Sequence, residues 1–131
     1  MKRFRYYPIP RELLRTTYGK YHVSPPEERI LDGILFASKA EMKRYGELKF
    51  LERAKKIKDL TVQPKFVLLE AFERHGVHHQ AIHYVGDFLY YDNELKRKIV
   101  EDVKGVETEV FRLKKKLFAY NHNLELRIVK A

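Results

Sequence analysis

Val85-Gly86-Asp87-Phe88-Leu89-Tyr90 and Ile99-Val100-Glu101-Asp102-Val103-Lys104-Gly105, with a short polar turn between them, read as two neighbouring strands of a hairpin. Residues two apart in a strand share a face, so Asp102 and Lys104 project together while Glu101 and Val103 point the other way. The pairing sets Asp87 beside that Asp-x-Lys triplet. Ile99, Val100 and Val103 mark the segment as at least half buried, and a charge buried there is costly unless it is paired or holds a metal. A hairpin salt bridge between Asp102 and Lys104 explains an isolated triplet, so the elements around it decide what the triplet is for.

Upstream, Ile30-Leu31-Asp32-Gly33-Ile34-Leu35-Phe36 reads as a short strand or tight hairpin turning at Asp32-Gly33. Ser38-Lys39-Ala40-Glu41 is a capping box that opens a helix through about Lys56, with Met42, Tyr45, Leu48 and Leu51 on its apolar face. Glu41 stands on the flank of that face, and capping alone would account for it. Leu60 to Pro64 closes the unit. Phe66–Phe72 reads as a strand, 73–77 as a turn, 78–91 as one long strand, and Asp92-Asn93-Glu94 as the turn into a strand from Lys98 to Lys104. Thr108 caps a second helix to about His122, with Val110, Leu113, Leu117 and Tyr120 on one apolar face, broadened by Phe111 and Phe118. Leu124–Val129 alternates as a last strand.

The chain has 131 residues, enough for one domain with a real core. With no Cys, a disulfide framework and a thiolate zinc site are excluded, and no apolar run suits a signal peptide or a membrane span. The expected compartment is the cytoplasm, or a host cytoplasm. On a strand, His79 and His83 lie too far apart for one ion and His78 faces away from both, which argues against zinc.

Twenty-seven Lys and Arg against 18 Asp and Glu give a net charge of +9, which favours a polyanionic partner through counterion release. Residues 1–29 read as a basic, aromatic N-terminal arm and 30–131 as the folded domain. Arg3 and Arg5 in the arm, Lys39 and Lys43 on the first helix, and Arg112, Lys114, Lys115 and Lys116 on the second are the candidate nucleic-acid contacts.

The order is helix, three strands, helix, strand, an α/β class with a mixed sheet. It resembles the core of the PD-(D/E)xK nuclease superfamily, the restriction-endonuclease-like fold. The resemblance is carried by Phe36-Ala37-Ser38-Lys39-Ala40-Glu41 with Arg44-Tyr45 and Leu48-Lys49, Gln63-Pro64-Lys65-Phe66, Gly86-Asp87-Phe88, Glu101-Asp102-Val103-Lys104-Gly105 and Arg112–Lys116. At closer range these stretches are similar to small phage proteins related to endonuclease I and archaeal-type Holliday junction resolvases. Gly86 stands where the superfamily name has proline, and Asp102 where many relatives have glutamate.

The resemblance implies that Glu41 is the helix acid, Asp87 and Asp102 the metal-binding aspartates and Lys104 the catalytic lysine. The metal would be Mg²⁺, with Mn²⁺ able to substitute, held by Asp87, Asp102 and the Val103 carbonyl, with Glu41 reaching a second ion or positioning water. Gln63 is a candidate for orienting water. Hard oxygen ligands suit Mg²⁺, and Lys104 would act on the attacking water or on the transition-state charge. The implied activity is phosphodiester hydrolysis in branched DNA, by a homodimer because two strands are cut symmetrically. A different DNA nuclease (exonuclease, nicking or restriction-like) and a basic DNA-binding module without catalysis are the alternatives. No membrane and no small-molecule cofactor enters any of them.

Overall fold

The computed structural model describes residues 23–131, so Arg3 and Arg5 lie outside the described residues. A 3-10 turn, Pro26–Arg29, leads into a hairpin of β1 (Ile30–Leu31) and β2 (Ile34–Leu35). Asp32 and Gly33 at its tip have φ of 53° and 74°, the left-handed pair that a two-residue hairpin turn requires. Pro26 and Arg29, which the division at residue 30 assigns to the arm, are buried against the domain. Arg29 Nη1 donates to the carbonyls of Phe36 and Ala37 at 2.8 and 2.9 Å, tying the turn to the chain just ahead of the first helix.

That helix, α1 (Lys39–Arg53), starts where the capping box predicts: the Ser38 hydroxyl accepts from the Glu41 N–H at 3.1 Å. It buries Tyr45 and Leu48, with Met42 and Leu51 packed beside them. The strands that follow are β3 (Ile57–Val62), β4 (Lys65–Leu69), β5 (Phe72–Arg74), β6 (Val77–His79), β7 (Ile82–Val85), β8 (Phe88–Asp92) and β9 (Arg97–Lys104). Helix α2 (Glu109–Asn121), capped by the Thr108 hydroxyl accepting from Phe111 N–H, and β10 (Glu125–Lys130) complete the chain.

The main sheet runs β10-β9-β8-β3, with β10 parallel to β9 and the other pairs antiparallel, so the class is α+β with a mixed sheet and two helices among the described residues. Three strand expectations need correction. Phe66–Phe72 is not one strand, since β4 ends at Leu69 and Phe72–Arg74, which overlaps the expected 73–77 turn, is β5; seven strands rather than three therefore lie between the helices. The stretch read as a closing connector holds β3, the neighbour of β8. The segment 78–91 is three strands rather than one, broken at Gln80-Ala81 and again at Gly86-Asp87. The second break has a partner: Gln63 N–H donates to Asp87 O and Gly86 N–H to Pro64 O, each at 2.9 Å. There the β3/β8 pair bends into the two-stranded β4/β7 ribbon, which the small β5/β6 hairpin extends.

Strand β9 has a core on each side. Ile99 and Val103 face α1 with Phe36, Tyr45, Leu48, Phe88 and Tyr90, whereas Val100 faces α2 with Leu68, Tyr84, Phe111 and Phe118. Helix α2 thus turns Phe111 and Phe118 inward with Leu117 packed beside them and leaves Val110, Leu113 and Tyr120 exposed, so only part of the broad apolar face expected meets the sheet. No helix among the described residues is long and apolar enough to cross a membrane.

Candidate functional site

The alternation of β9 sends its two adjacent acids to opposite sides of the sheet. Glu101, fully buried, lies on the α1 side, where Arg44 grips it with two bonds of 2.7 Å, Nε to Oε1 and Nη2 to Oε2, and the Tyr90 hydroxyl donates to Oε2. The hydrogen bonds to Glu101 raise the Arg44 pKa further, while burial and then the bond to Glu101 push the Tyr90 hydroxyl up. Glu101 is therefore spent on holding α1 to the sheet, and Asp102 is the acid on the other face.

Asp102 is also buried, and both of its oxygens have partners. The Tyr84 hydroxyl donates to Oδ2, and Lys104 Nζ lies 3.3 Å from Oδ1. Burial first, then the bond to Asp102, raises the Tyr84 hydroxyl far above its ordinary value, so Tyr84 stays a donor at any physiological pH. Lys104 also sits over the Phe111 ring, 4.5 Å from its centroid, which places the ammonium between α2 and the end of β9.

Asp87 reaches this place from the break before β8. Its backbone N–H donates to Glu101 O at 3.0 Å, and its Oδ2 accepts from Val103 N–H at 2.6 Å. The side chain thus continues the β8/β9 ladder one step beyond the last strand residue. Alternate residues of a strand direct their N–H and C=O to the same neighbour, so the Val103 carbonyl faces the same edge as Asp87. Burial, and then the carboxylates of Glu41 and Asp102, push Asp87 up to about 7 against the opposing Val103 bond and the Lys104 charge. Glu41 is likewise raised, by burial foremost and by Asp102, with the Ala37 backbone, Lys104 and Arg29 opposing.

Glu41, Asp87, Asp102 and Lys104, which come from a helix, a strand break and a strand end, therefore share one electrostatic neighbourhood. Three acids share this place with Lys104 and, near Glu41, Arg29, so acid outnumbers base and proton binding by Asp87 and Glu41 is favoured. Among the described residues no three acids or histidines close into one ligand cage. The donor chemistry still fits Mg²⁺, which keeps several waters and needs only one or two carboxylates. Asp87 and Asp102 are the two that would hold it.

The other predicted residues fall less neatly. Gln63 is exposed, with φ at 54°, and its N–H serves the Asp87 carbonyl, so its visible part in the site is to hold the bend. Lys39 is paired with Glu28 at 2.6 Å and Lys115 with Glu107 at 2.8 Å, whereas Lys43, Arg112 and Lys116 are exposed. Arg112, Lys115 and Lys116 stand at i, i+3 and i+4 on one side of α2, and Lys114 turns away from them. Tyr84 and Arg44 were missed as parts of the site because their partners lie 18 and 57 residues away, and no local pattern points to them.

A search of curated proteins finds no match. A family model described as protein of unknown function (DUF1064) matches residues 20–131, and the chain belongs to that family.

Proposed function

We propose that this protein is a Mg²⁺-dependent DNA endonuclease of the PD-(D/E)xK kind, acting on branched DNA as a phage-type junction resolvase does. The observation that carries the reading is the convergence of Glu41, Asp87, Asp102 and Lys104 at one end of the β8/β9 pair, with Asp87 aimed by the Val103 N–H. Supporting it, the described residues form a mixed four-stranded sheet with a helix packed on each side, in keeping with the mixed sheet that the resemblance implies.

Phosphodiester hydrolysis needs an attacking water and stabilisation of charge on the phosphoryl and leaving oxygens; Asp87 and Asp102 would hold a divalent cation, which would supply both. Asp87 and Asp102 bind and orient, with Val103 O directed to the same edge. Glu41 orients water at the rim. Lys104, held between Asp102 and Phe111, places its ammonium where negative charge builds in the transition state. Tyr84 fixes the Asp102 carboxylate from behind. Lys43, Arg112 and Lys116 contact backbone phosphates.

Purified protein is incubated with an end-labelled four-way junction and with linear duplex of the same sequence, in Mg²⁺ and in chelator, beside Lys104→Ala and Asp102→Asn. Paired symmetric nicks confined to the junction, lost in chelator and in both variants while binding persists, are the expected result. Equal cutting of duplex would replace the resolvase with another nuclease of the same site. The occupied oxygens of Asp102 favour one further reading, a basic DNA-binding module in which Asp102 and Lys104 form a structural ion pair; tight binding with no cutting of either substrate would select it.

A further inference from the structure

Arg29 closes the 3-10 turn ahead of β1 and is only 8% exposed. Its Nη1 is taken by the carbonyls of Phe36 and Ala37. Its Nε is the one buried side-chain polar atom among the described residues that has no hydrogen-bond partner. Burying a charged donor without an acceptor is costly, so an open guanidinium edge asks for a ligand. Arg44 shows what such an edge takes when it is satisfied: its Nε and Nη2 hold the two oxygens of the Glu101 carboxylate.

Two contacts hold this guanidinium at the start of α1. Ala37, whose carbonyl it bonds, directly precedes the N-cap Ser38, and Glu28, its neighbour in the turn, pairs with Lys39 in the first turn of the helix. The first N–H groups of a helix lack intrahelical acceptors and carry the positive end of its dipole. The Ser38 hydroxyl takes the Glu41 N–H, so those of Lys39 and Ala40 bond no described acceptor. Ala37 and Lys39, on either side of the cap, are exposed, which opens this place to solvent. Lys43, exposed one turn beyond Lys39 on the same side of α1, adds positive charge. A tetrahedral phosphate has oxygens for the guanidinium edge and for the helix N–H groups together, whereas the fork alone uses up both oxygens of a carboxylate. For a chain of net charge +9, nucleic acid is the source of phosphate that the charge favours. We infer that Arg29 and the first turn of α1 form a phosphate-binding site that holds a backbone phosphate of DNA. Because Glu41 belongs to the same turn, that phosphate lies beside the one to be cut, a placement that rests on the nuclease reading.

Binding of the full chain to a labelled four-way junction is measured in chelator, where cutting plays no part, on a series in which each phosphate near the branch is replaced in turn by a neutral methylphosphonate. At one position the wild type is expected to lose about tenfold in affinity. Arg29→Lys, which keeps the charge and loses the fork, is expected to bind the unmodified junction about tenfold more weakly and to be indifferent to that one replacement. The wild type also reports without any substitution, since the Arg29 Nε–H resonance is expected to shift in NMR spectra when the junction is added. A resonance that the junction leaves unmoved, or a folded Arg29→Lys as sensitive as the wild type at every methylphosphonate, overturns the site. A resonance that moves with inorganic phosphate and not with the junction makes this a site for free phosphate and overturns the DNA assignment. Cutting in Mg²⁺ is scored separately: a shifted resonance and a coupled phosphate with no cutting of any substrate would remove the nuclease reading and leave the phosphate site standing.

Discussion

Glu101 is fully buried and Asp87 half-buried, and their surroundings give the two acids opposite tasks. Glu101 has a bidentate guanidinium and a phenol, whereas Asp87 has one backbone N–H and two other acids for company. Because the Asp87 pKa is raised on folding, the folded state binds the proton more tightly than the unfolded chain. Stability of the metal-free protein should therefore fall as pH rises from about 4 to about 7, and then level off. Asp87→Asn keeps the acceptor for Val103 and removes the charge. It should stabilise the protein at pH 8 in chelator by on the order of 1–3 kcal/mol, leave it unchanged near pH 3, and abolish cutting; paired thermal melts at the two pH values check this. Arg44→Ala strands the Glu101 charge and should cost about 3–5 kcal/mol in denaturant melts, against less than ~1 kcal/mol for Lys39→Ala at its exposed pair with Glu28. Alternation in β9 already separates Asp102 and Lys104 from Glu101 in the sequence. What Glu101 meets on its own side was not legible, because Arg44 is brought there only by the docking of α1.

At the scale of elements, both helix starts could be read to the residue, since Ser38 and Thr108 are local signals, whereas the first helix ends at Arg53, short of the expected Lys56. The inward face of α2 could not be read. Val110-Leu113-Leu117-Tyr120 and Phe111-Phe118 are both apolar at helical spacing, and periodicity alone does not say which of two apolar faces meets the sheet. Strand β3 was hidden by Lys58 and Asp59, where the pairing slips and Asp59 adopts φ of 58°. The breaks in 78–91 fall at Gln80-Ala81 and Gly86-Asp87, which are poor strand formers, but the β-branched and aromatic residues on either side let the segment read as one strand. Gly86 marks the break that matters: a Cβ there would lie 2.9 Å from Val100 Cγ1, in a fully buried side chain. Gly86→Ala should destabilise by about 1–3 kcal/mol and displace Asp87, so that activity falls further than stability explains. The β5/β6 hairpin, exposed along its whole length, should tolerate replacement of residues 72–79 by a short turn with little change in melting temperature.

Across the whole molecule, the +9 charge was legible from composition and its placement was not. Several of the cations are already engaged, Lys39, Arg44 and Lys115 among them, while Arg112 and Lys116 are exposed on one side of α2. Binding to DNA should thus weaken with salt along a log–log line whose slope reports the number of phosphates neutralised. Lys43→Ala and Arg112→Ala should each flatten that slope by about 1. The two-sided β9 also sets what lengths of this chain can be inherited. One residue inserted after Val100 would carry Glu101 onto the Asp102 side, move Lys104 across the sheet and leave Arg44 facing a stranger, all at once. The same insertion among Asn93, Glu94 and Leu95 only enlarges a turn. The stretch from Ile99 to Lys104 is a ruler of fixed length, and descendants of this chain are free to grow everywhere around it but not within it.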